Sequence, residues 1–173
     1  MPCGRSDRRP GLAPFVIRVR AGERNGATAA EDRAFVTDLG RRCAMTSVGS
    51  VRPAAEPAVR AAFDRLCEIV EEQSHVALIA EEDGRRIGFL LLLDGLPDEV
   101  TSLPQAFVAY MAVEPRDRRR GGGAALLAAA EDEAKRRGLP YMALMVTEEN
   151  EAARRLYERS AYRTERRLLC KPL

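Results

Sequence analysis

A basic, glycine-rich stretch offers the clearest chemistry in this sequence. Residues 118–127 read RRRGGGAALL, after the apolar run Ala106–Val113 and at the start of an alanine- and leucine-rich segment. This order predicts a strand, a turn and a helix. The free N–H groups and the dipole of a helix start favour anions, and glycines let the backbone approach a phosphate closely. With arginines as charged donors, the turn suits a pyrophosphate-bearing cofactor.

The spacing of the glycines excludes two common phosphate-binding motifs. GxxxxGK[ST] is absent, and GxGxxG fails because Gly121, Gly122 and Gly123 are followed by AAL. Glycine and arginine alone also fit a flexible basic turn on a solvated surface. The remainder of the chain has to decide between these interpretations.

The stretch resembles the acetyl-CoA-binding signature of the GNAT acetyltransferase superfamily. In that signature Gln or Arg is followed after two residues by Gly, and after one more by Gly or Ala. Arg118, Gly121 and Gly123 stand in these places. Upstream, AYMAVEPRDRRR at 109–120 is similar to the family's strand that ends in valine before proline and basic residues. Between the signature glycines the family usually has a branched apolar residue, and here it is Gly122.

A second segment, at 146–163, resembles the family's later motif. That motif has an Asn before a helix that carries an aliphatic residue and Tyr, followed by a small residue and an aromatic one. The matching residues are Asn150, Leu156, Tyr157, Ala161 and Tyr162. The resemblance is clearest from about Val76 to the C-terminus.

This resemblance implies acetyl-CoA as co-substrate. In the family, the strand before the turn pairs its backbone with the pantetheine arm, and it splays from the next strand, here 141–146, to make the slot. One backbone N–H is then available to the thioester oxygen. The residues implied in acetyl-CoA binding are Met111, Ala112, Val113, Arg118, Arg119, Arg120, Gly121, Gly122, Gly123, Ala124, Asn150 and Ala153.

Tyr157 is the candidate general acid. A phenol with an ordinary pKa near 10 is protonated at neutral pH and can give its proton to a thiolate. Helical spacing alone also fits a core tyrosine, and the resemblance favours the acid. Asn150 can cap the N-terminus of the last helix, contact the cofactor, or do both.

The general base is left open by the sequence, because superfamily members use different carboxylates or waters. Glu99, in the loop before the central strand, is our choice. Tyr110 is a second candidate on the substrate side. Glu114 is less favoured, because Pro115 follows and the side chain should turn outward. Each of these three residues could equally be a solvated side chain without a catalytic role.

The composition limits the classes of protein to which the chain can belong. The chain has 173 residues, of which 46% are apolar, enough for one domain with a core. We expect a disordered tail at 1–14 and the acetyltransferase domain at 15–173. The 28 basic and 26 acidic residues give a net charge of only +2, which argues against a general nucleic-acid binder. No apolar run approaches a membrane span, and the N-terminus lacks the apolar core of a secretory signal.

Cysteine and histidine usage predicts neither a metal site nor a disulfide framework. The four cysteines form no CxxC pair, and His75 is the only histidine. The thiols are therefore expected to be reduced in a cytoplasmic protein without a metal. A catalytic Cys–His pair with His75 is an unfavoured alternative.

The pattern of elements predicts an α/β fold in the order β-α-α-β-β-β-α-β-α-β, with a mixed sheet and helices on both faces. A capping-box spacing at 28–31 opens a helix that should end near Gly40, and Pro57 starts the second helix. Asp83-Gly84 predicts a hairpin, and Gly138 ends the third helix. The predicted strands are 15–19, 76–80, 87–93, Ala106–Val113, 141–146 and 168–171, and the last helix is 149–160. This order matches the GNAT fold.

The leading hypothesis is an acetyl-CoA-dependent N-acetyltransferase that acts on a primary amine of a small molecule, peptide or protein. Acidic residues in the loops, among them Asp94, Asp98 and Glu99, slightly favour a cationic acceptor. The alternative is a non-catalytic acyl-CoA-binding regulatory domain on the same fold. A nucleic-acid binder that uses 116–120 lacks interleaved aromatics. Dimers are common in the family, so the resemblance leaves a homodimer open.

Overall fold

The computed structural model of the chain describes residues 16–23 and 25–173. The predicted tail at 1–14, and Phe15 of the predicted first strand, lie outside these ranges. The described strands are β1 (Ile17–Ala21), β2 (His75–Glu82), β3 (Arg85–Leu93), β4 (Ala106–Val113) and β5 (Met142–Leu144). The described α-helices are α1 (Ala27–Cys43), α2 (Glu56–Glu72), α3 (Gly122–Arg136) and α4 (Glu151–Arg159). Short 3-10 helices lie at Ala44–Ser47 and Pro115–Asp117.

The strands form one mixed sheet in the order β1-β2-β3-β4-β5. Strands β1 to β4 pair antiparallel, whereas β4 and β5 pair parallel. The two-residue turn Asp83-Gly84 joins β2 to β3, and its φ angles of 51° and 76° lie in the left-handed region that a type I′ hairpin requires. The predicted mixed sheet and hairpin are therefore confirmed.

Helices cover both faces of the sheet, as predicted. On one face α1 and α2 build a core around Leu39, Phe63 and Phe89. On the other face α3 packs through Leu126 and Leu127, with residues of α4 beside it. Every residue of β3 from 87 to 93 is buried, because this central strand has helices on both sides.

Helix α1 continues past Gly40, where the sequence predicts its end. The helix runs to Cys43, and Gly40 is buried within it. A methyl group at Gly40 would overlap the ring of Phe63 on α2. The prediction is wrong because this glycine permits the close approach of two helices and does not form a C-terminal cap.

The predicted capping box at 28–31 is also wrong. Helix α1 begins at Ala27, after Gly26, and no side chain caps its N-terminus. Glu31 instead pairs with Arg86 of β3 at 2.9 Å. The tertiary ion pair thus uses the carboxylate that the local pattern assigned to the helix start.

No strand forms at 168–171, where the sequence predicts a last short strand. Residues 163–173 are irregular, and nearly all their side chains are exposed. Arg166 pairs with Asp98 at 2.6 Å, on the loop before β4. A strand requires a neighbouring ladder for its backbone groups, and this segment does not pair with β5. The element order of the described residues is therefore β-α-α-β-β-β-α-β-α.

Candidate functional site

Strand β4 contains a bulge at the point where it leaves β5. The register between β3 and β4 shifts so that Ala109 is an extra residue without an opposite partner. The parallel pairing of β4 with β5 ends at the same place, with Val108 opposite Leu144. A bulge bends a strand and increases its twist. This explains why the two strands diverge and why β5 is shorter than the predicted 141–146.

Beyond the divergence, β4 presents an open backbone edge. The Glu114 N–H donates to the Ile87 carbonyl at 2.8 Å, and hydrogen-bonded pairs alternate along an antiparallel ladder. The backbone groups of Ala112 therefore face β3. Those of Met111 and Val113 face the side from which β5 has departed. The Val113 carbonyl there accepts a hydrogen bond from Arg118, and the N–H groups of both residues remain as donors to a ligand.

The turn after β4 has left-handed backbone at two positions, with φ of 62° at Arg119 and 96° at Gly121. Helix α3 then begins at Gly122 without a side-chain cap. The first-turn N–H groups, those of Gly122, Gly123 and Ala124, have no intrahelical partner. These uncapped donors stand at a helix start, where the dipole favours an anion.

The glycines at this helix start meet different surroundings. A Cβ on Gly122 would lie 3.5 Å from Val113 Cγ1 and 3.6 Å from Ile87 Cδ1, which are ordinary contacts in an apolar environment. A Cβ on Gly123 would lie 2.9 Å from Leu156 Cδ2 of α4, closer than a methyl group fits. Gly123 therefore permits the approach of α4. Gly122 faces the interior, the direction in which the family's branched residue is expected to pack.

The first two arginines of the turn differ in their surroundings. Arg118 Nε donates to the Val113 carbonyl at 3.2 Å, and its Nη2 lies 3.4 Å from Cys43 Sγ. Arg119 is exposed to solvent. The guanidinium of Arg118 is thus placed at the open edge of β4, while that of Arg119 is in solvent.

Arg120 is engaged by two carboxylates. Its Nη2 lies 2.7 Å from Glu82 Oε1, and its Nη1 lies 3.0 Å from Asp117 Oδ1. Both carboxylates are almost fully buried, with 7% and 3% of their side chains exposed. The guanidinium of Arg120 therefore belongs to an internal ion-pair cluster.

This region of the chain matches a known family model. The model for the acetyltransferase (GNAT) family covers residues 43–162, more than half of the chain, including β4, the turn, α3 and α4. The chain belongs to the GNAT acetyltransferase family. The resemblance seen in the sequence motifs is thereby confirmed. A comparison with curated proteins found no match.

Solved structures of this fold include several acetyltransferases. A putative acetyl transferase from Pyrococcus furiosus has a TM-score of 0.75 at 23% identity, covering 91% of this chain and 100% of that one. A ribosomal-protein-alanine N-acetyltransferase from Brucella melitensis biovar Abortus 2308 has a TM-score of 0.64 at 20% identity, covering 91% and 99%. Aminoglycoside N-acetyltransferase AAC(6')-Iy in complex with CoA has a TM-score of 0.63 at 20% identity, covering 94% and 99%. At such identities the likeness shows the GNAT fold.

Tyr157 of this GNAT protein packs in the core on the α3 face of the sheet, together with Met111 and Val113. Its ring meets the ring of Tyr162 edge to face, with centroids 5.8 Å apart. Burial raises the pKa of the Tyr157 phenol above its ordinary value of 10.0. The phenol is therefore protonated at neutral pH.

Asn150 caps α4, one of the two roles that the sequence allows. Its Oδ1 accepts a hydrogen bond from the Ala153 N–H at 3.2 Å. Its Nδ2 donates to the Thr46 carbonyl at 3.3 Å. The backbone N–H of Ala153 is thus used by the cap, so this residue has only its methyl group and carbonyl for other contacts.

The loop before α4 is bonded to the segment between α1 and α2. Thr147 Oγ1 donates to the Ser47 carbonyl at 2.7 Å. Glu149 accepts from the Ser50 hydroxyl at 2.7 Å and from the Ser50 N–H at 3.1 Å, and these bonds lower the pKa of the Glu149 carboxyl. Sequence reasoning missed this connection, because nothing in either loop indicates that the two meet.

Glu99, the candidate base, lies on the exposed loop before β4. Its side chain is 81% exposed, and its Oε1 lies 3.4 Å from Arg166 Nη1. Glu114, the less favoured carboxylate, is bound through both oxygens by Arg42 of α1, at 2.7 and 3.1 Å. Of the two, only Glu99 remains largely open to solvent.

Tyr110, the other candidate, lies on the opposite face of the sheet from Tyr157. Its ring packs against Phe63, with centroids 4.8 Å apart. Burial raises the pKa of the Tyr110 phenol to about 12, although a hydrogen bond with Ser47 opposes this rise. The structure therefore does not bring the two tyrosines together on one side of β4.

Among residues 16–23 and 25–173, no helix is long and apolar enough to cross a membrane. Within the same ranges, no group of three or more His, Cys, Asp or Glu residues is arranged to hold a metal ion. His75 begins β2, and its Nδ1 lies 2.9 Å from the Gln73 carbonyl.

Proposed function

We propose that this GNAT protein is an acetyl-CoA-dependent N-acetyltransferase that acts on a primary amine of a small molecule, peptide or protein. The observation that carries the proposal is the open edge of β4 beside an uncapped helix start, within the range that the family model covers. An extended thioester arm can pair with such an edge as an added strand would, while the helix start binds a pyrophosphate.

The residues present at the site fit acetyl-CoA, which supplies a thioester carbonyl carbon for attack by the amine. Met111 and Val113 bind the arm through their backbone groups. One of their N–H groups donates to the thioester oxygen, a kind of contact that contributes about 3 kcal/mol to the transition state. Arg118, Arg119 and the first-turn N–H groups of α3 would hold the pyrophosphate, and Ala112, Asn150 and Ala153 would contact the co-substrate.

Two proton transfers complete the reaction. Tyr157 gives its phenolic proton to the sulfur that leaves, and its raised pKa keeps that proton in place at neutral pH. Glu99 accepts a proton from the amine, directly or through a water. Its exposure keeps it accessible to a bulky acceptor.

Two of the loop carboxylates are less available to a cationic acceptor than the sequence predicts. Asp94 and Asp98, two of the loop carboxylates that favour a cationic acceptor, are paired with Arg137 and Arg166. These pairs reduce the negative charge left for an acceptor. The cytoplasmic location, the single domain at 15–173 and a homodimer stay predictions.

Thermal unfolding with and without excess acetyl-CoA tests the proposal, with NADH as the control nucleotide. At 100 times its dissociation constant a ligand stabilises the folded state by about 2.7 kcal/mol, which gives a clear rise in Tm. Release of free thiol is then measured with a panel of amines, including a polyamine, an aminoglycoside and peptides with free N-termini. A rise with acetyl-CoA alone followed by turnover supports an enzyme.

Two other outcomes contradict the proposal in different ways. A rise in Tm without turnover on any amine supports the non-catalytic acyl-CoA-binding domain. No rise with acetyl-CoA means that the turn does not bind this co-substrate.

A further inference from the structure

Four charged side chains form a closed ring beneath the turn that precedes α3. Arg85 binds Asp117 through two hydrogen bonds, at 2.7 and 2.9 Å, and binds Glu82 at 3.2 Å. Arg120 binds the same two carboxylates, at 3.0 Å to Asp117 and 2.7 Å to Glu82. Guanidinium and carboxylate groups therefore alternate around this ring, which we call the ion ring.

The ion ring joins two turns that are distant in sequence. Glu82 and Arg85 flank the hairpin turn between β2 and β3, while Asp117 and Arg120 flank the left-handed residue Arg119. Removing one member of such a ring would leave a buried charge without its partner, which is strongly unfavourable. The hairpin, at the end of a rigid central strand pair, thus anchors both ends of the segment 117–120.

The anchored segment has a conformation that requires support. A residue with a side chain pays a free-energy penalty for the left-handed backbone seen at Arg119, and Gly121 is left-handed as well. The direction in which the N–H groups of this turn point depends on those two φ angles. Fixing residues 117 and 120 on a buried support restrains the left-handed backbone at Arg119, which lies between them.

We propose that Glu82, Asp117 and Arg120 are positioning residues, which hold the turn so that its N–H groups converge on the pyrophosphate of acetyl-CoA. The inference rests on the proposed function. Arg120 then acts through the shape of the turn rather than as a direct ligand of the phosphates. Arg118 and Arg119 supply direct positive charge.

Neutralising a carboxylate of the ion ring distinguishes positioning from simple electrostatics, because the two explanations predict opposite changes in the affinity for acetyl-CoA. Glu82→Gln and Asp117→Asn each remove a negative charge near a site for an anion. By Coulomb attraction alone both variants should bind acetyl-CoA more tightly. Positioning predicts the opposite, because the turn loses its support. We expect the Kd for acetyl-CoA, measured by isothermal titration calorimetry, to rise at least fivefold in each variant.

A matched control is available elsewhere in the chain. Asp32 is also a buried carboxylate, with 5% of its side chain exposed, held by Arg20 and Arg86 at 2.7 Å. Asp32→Asn should lower stability but leave the Kd for acetyl-CoA within twofold of the wild-type value. Arg120→Lys, which keeps the charge but has no fork to join two carboxylates, should raise the Kd and is a second variant if Asp117→Asn fails to fold.

Each result has one meaning. If wild-type protein binds acetyl-CoA and Glu82→Gln binds equally well or more tightly, the positioning role is overturned while the proposed function stands. If Asp32→Asn weakens binding as much as the ring variants do, the effect is general destabilisation and the inference fails. If wild-type protein does not bind acetyl-CoA, the proposed function fails first.

Discussion

Two tyrosines on the same face of the sheet differ in what their hydroxyl groups can do. Tyr162 has a buried hydroxyl without a hydrogen-bond partner among the described residues. Tyr157 packs beside it, and its phenol has a raised pKa. The pair offers a comparison between a hydroxyl with a proposed chemical role and a neighbour whose hydroxyl is only buried.

Tyr157→Phe should lower kcat at least tenfold and leave the KM for acetyl-CoA nearly unchanged, because only the proton donor is lost. Steady-state kinetics of thiol release would measure both constants. Tyr162→Phe is the control, and it should keep normal turnover, since removing an unpartnered buried hydroxyl costs little. Equal turnover in wild type and Tyr157→Phe would remove the general-acid role.

The raised pKa of Tyr157 also predicts a pH dependence of kcat. A general acid is active while protonated, so its loss appears at alkaline pH. Because burial raises this pKa above 10.0, kcat should not fall through deprotonation of Tyr157 until the pH exceeds about 10. A pH profile that falls between 7 and 9, with folding unchanged, would point to another acid.

At the scale of elements, the glycines set how closely helices approach their neighbours. Gly40 lies under the ring of Phe63, and Gly123 lies under Leu156. Gly122 has room for a methyl group, whereas Gly121 has a left-handed φ of 96°. These positions therefore respond differently to the same substitution.

Gly40→Ala should destabilise the protein by about 1–3 kcal/mol, because the added methyl overlaps Phe63 in the contact between α1 and α2. Urea unfolding followed by circular dichroism would give the free energy of unfolding. In a Phe63→Leu background the same change should cost at least ~1 kcal/mol less. An identical cost in both backgrounds would show that the ring is not the obstacle.

Gly122→Ala should raise stability by about 0.4–1 kcal/mol, since its backbone is compatible with alanine and its surroundings are apolar. Gly121→Ala, the neighbouring control, should lower stability, because alanine pays about 1–2 kcal/mol for left-handed backbone. Chemical unfolding of the two variants measures both. Stabilisation by both changes would mean that the turn is not held in the left-handed conformation.

At the scale of the whole molecule, buried ion pairs join elements that are far apart in sequence. Asp32 of α1 binds Arg20 of β1 and Arg86 of β3. Burial favours a higher pKa for this carboxyl, but the hydrogen bonds from Arg20 and Arg86 outweigh it and lower the pKa from 3.8 to about 2. The folded state therefore favours the charged form more than the unfolded state does.

Stability should accordingly fall as the pH drops from about 4 to about 2. The Asp32 contribution, of about 2 kcal/mol, is fully present above the unfolded pKa of 3.8 and is lost as the pH passes through the folded pKa of about 2. Urea unfolding at several pH values would measure it. Asp32→Asn should show a shallower loss than wild type, and the same slope in both proteins would contradict the assignment.

Local pattern in the sequence was sufficient for most of the elements. The Asp83-Gly84 hairpin, β4 and the cap at Asn150 follow from neighbouring residues, because turn geometry, alternation and capping act over a few positions. The glycine-rich turn also indicates an anion site at a helix start, since the free N–H groups exist wherever a helix begins.

Tertiary contacts determined the structural roles of residues that are distant in sequence. Gly40 has the spacing of a helix end but is required beneath Phe63, and Arg120 of the basic turn is paired with Glu82 and Asp117 in the ion ring. The bulge at Ala109 opens the edge of β4, and the segment 168–171 does not pair with β5. None of these can be read locally, because the free energy of a buried charge, of a close helix contact or of a strand ladder depends on which partner the fold brings near.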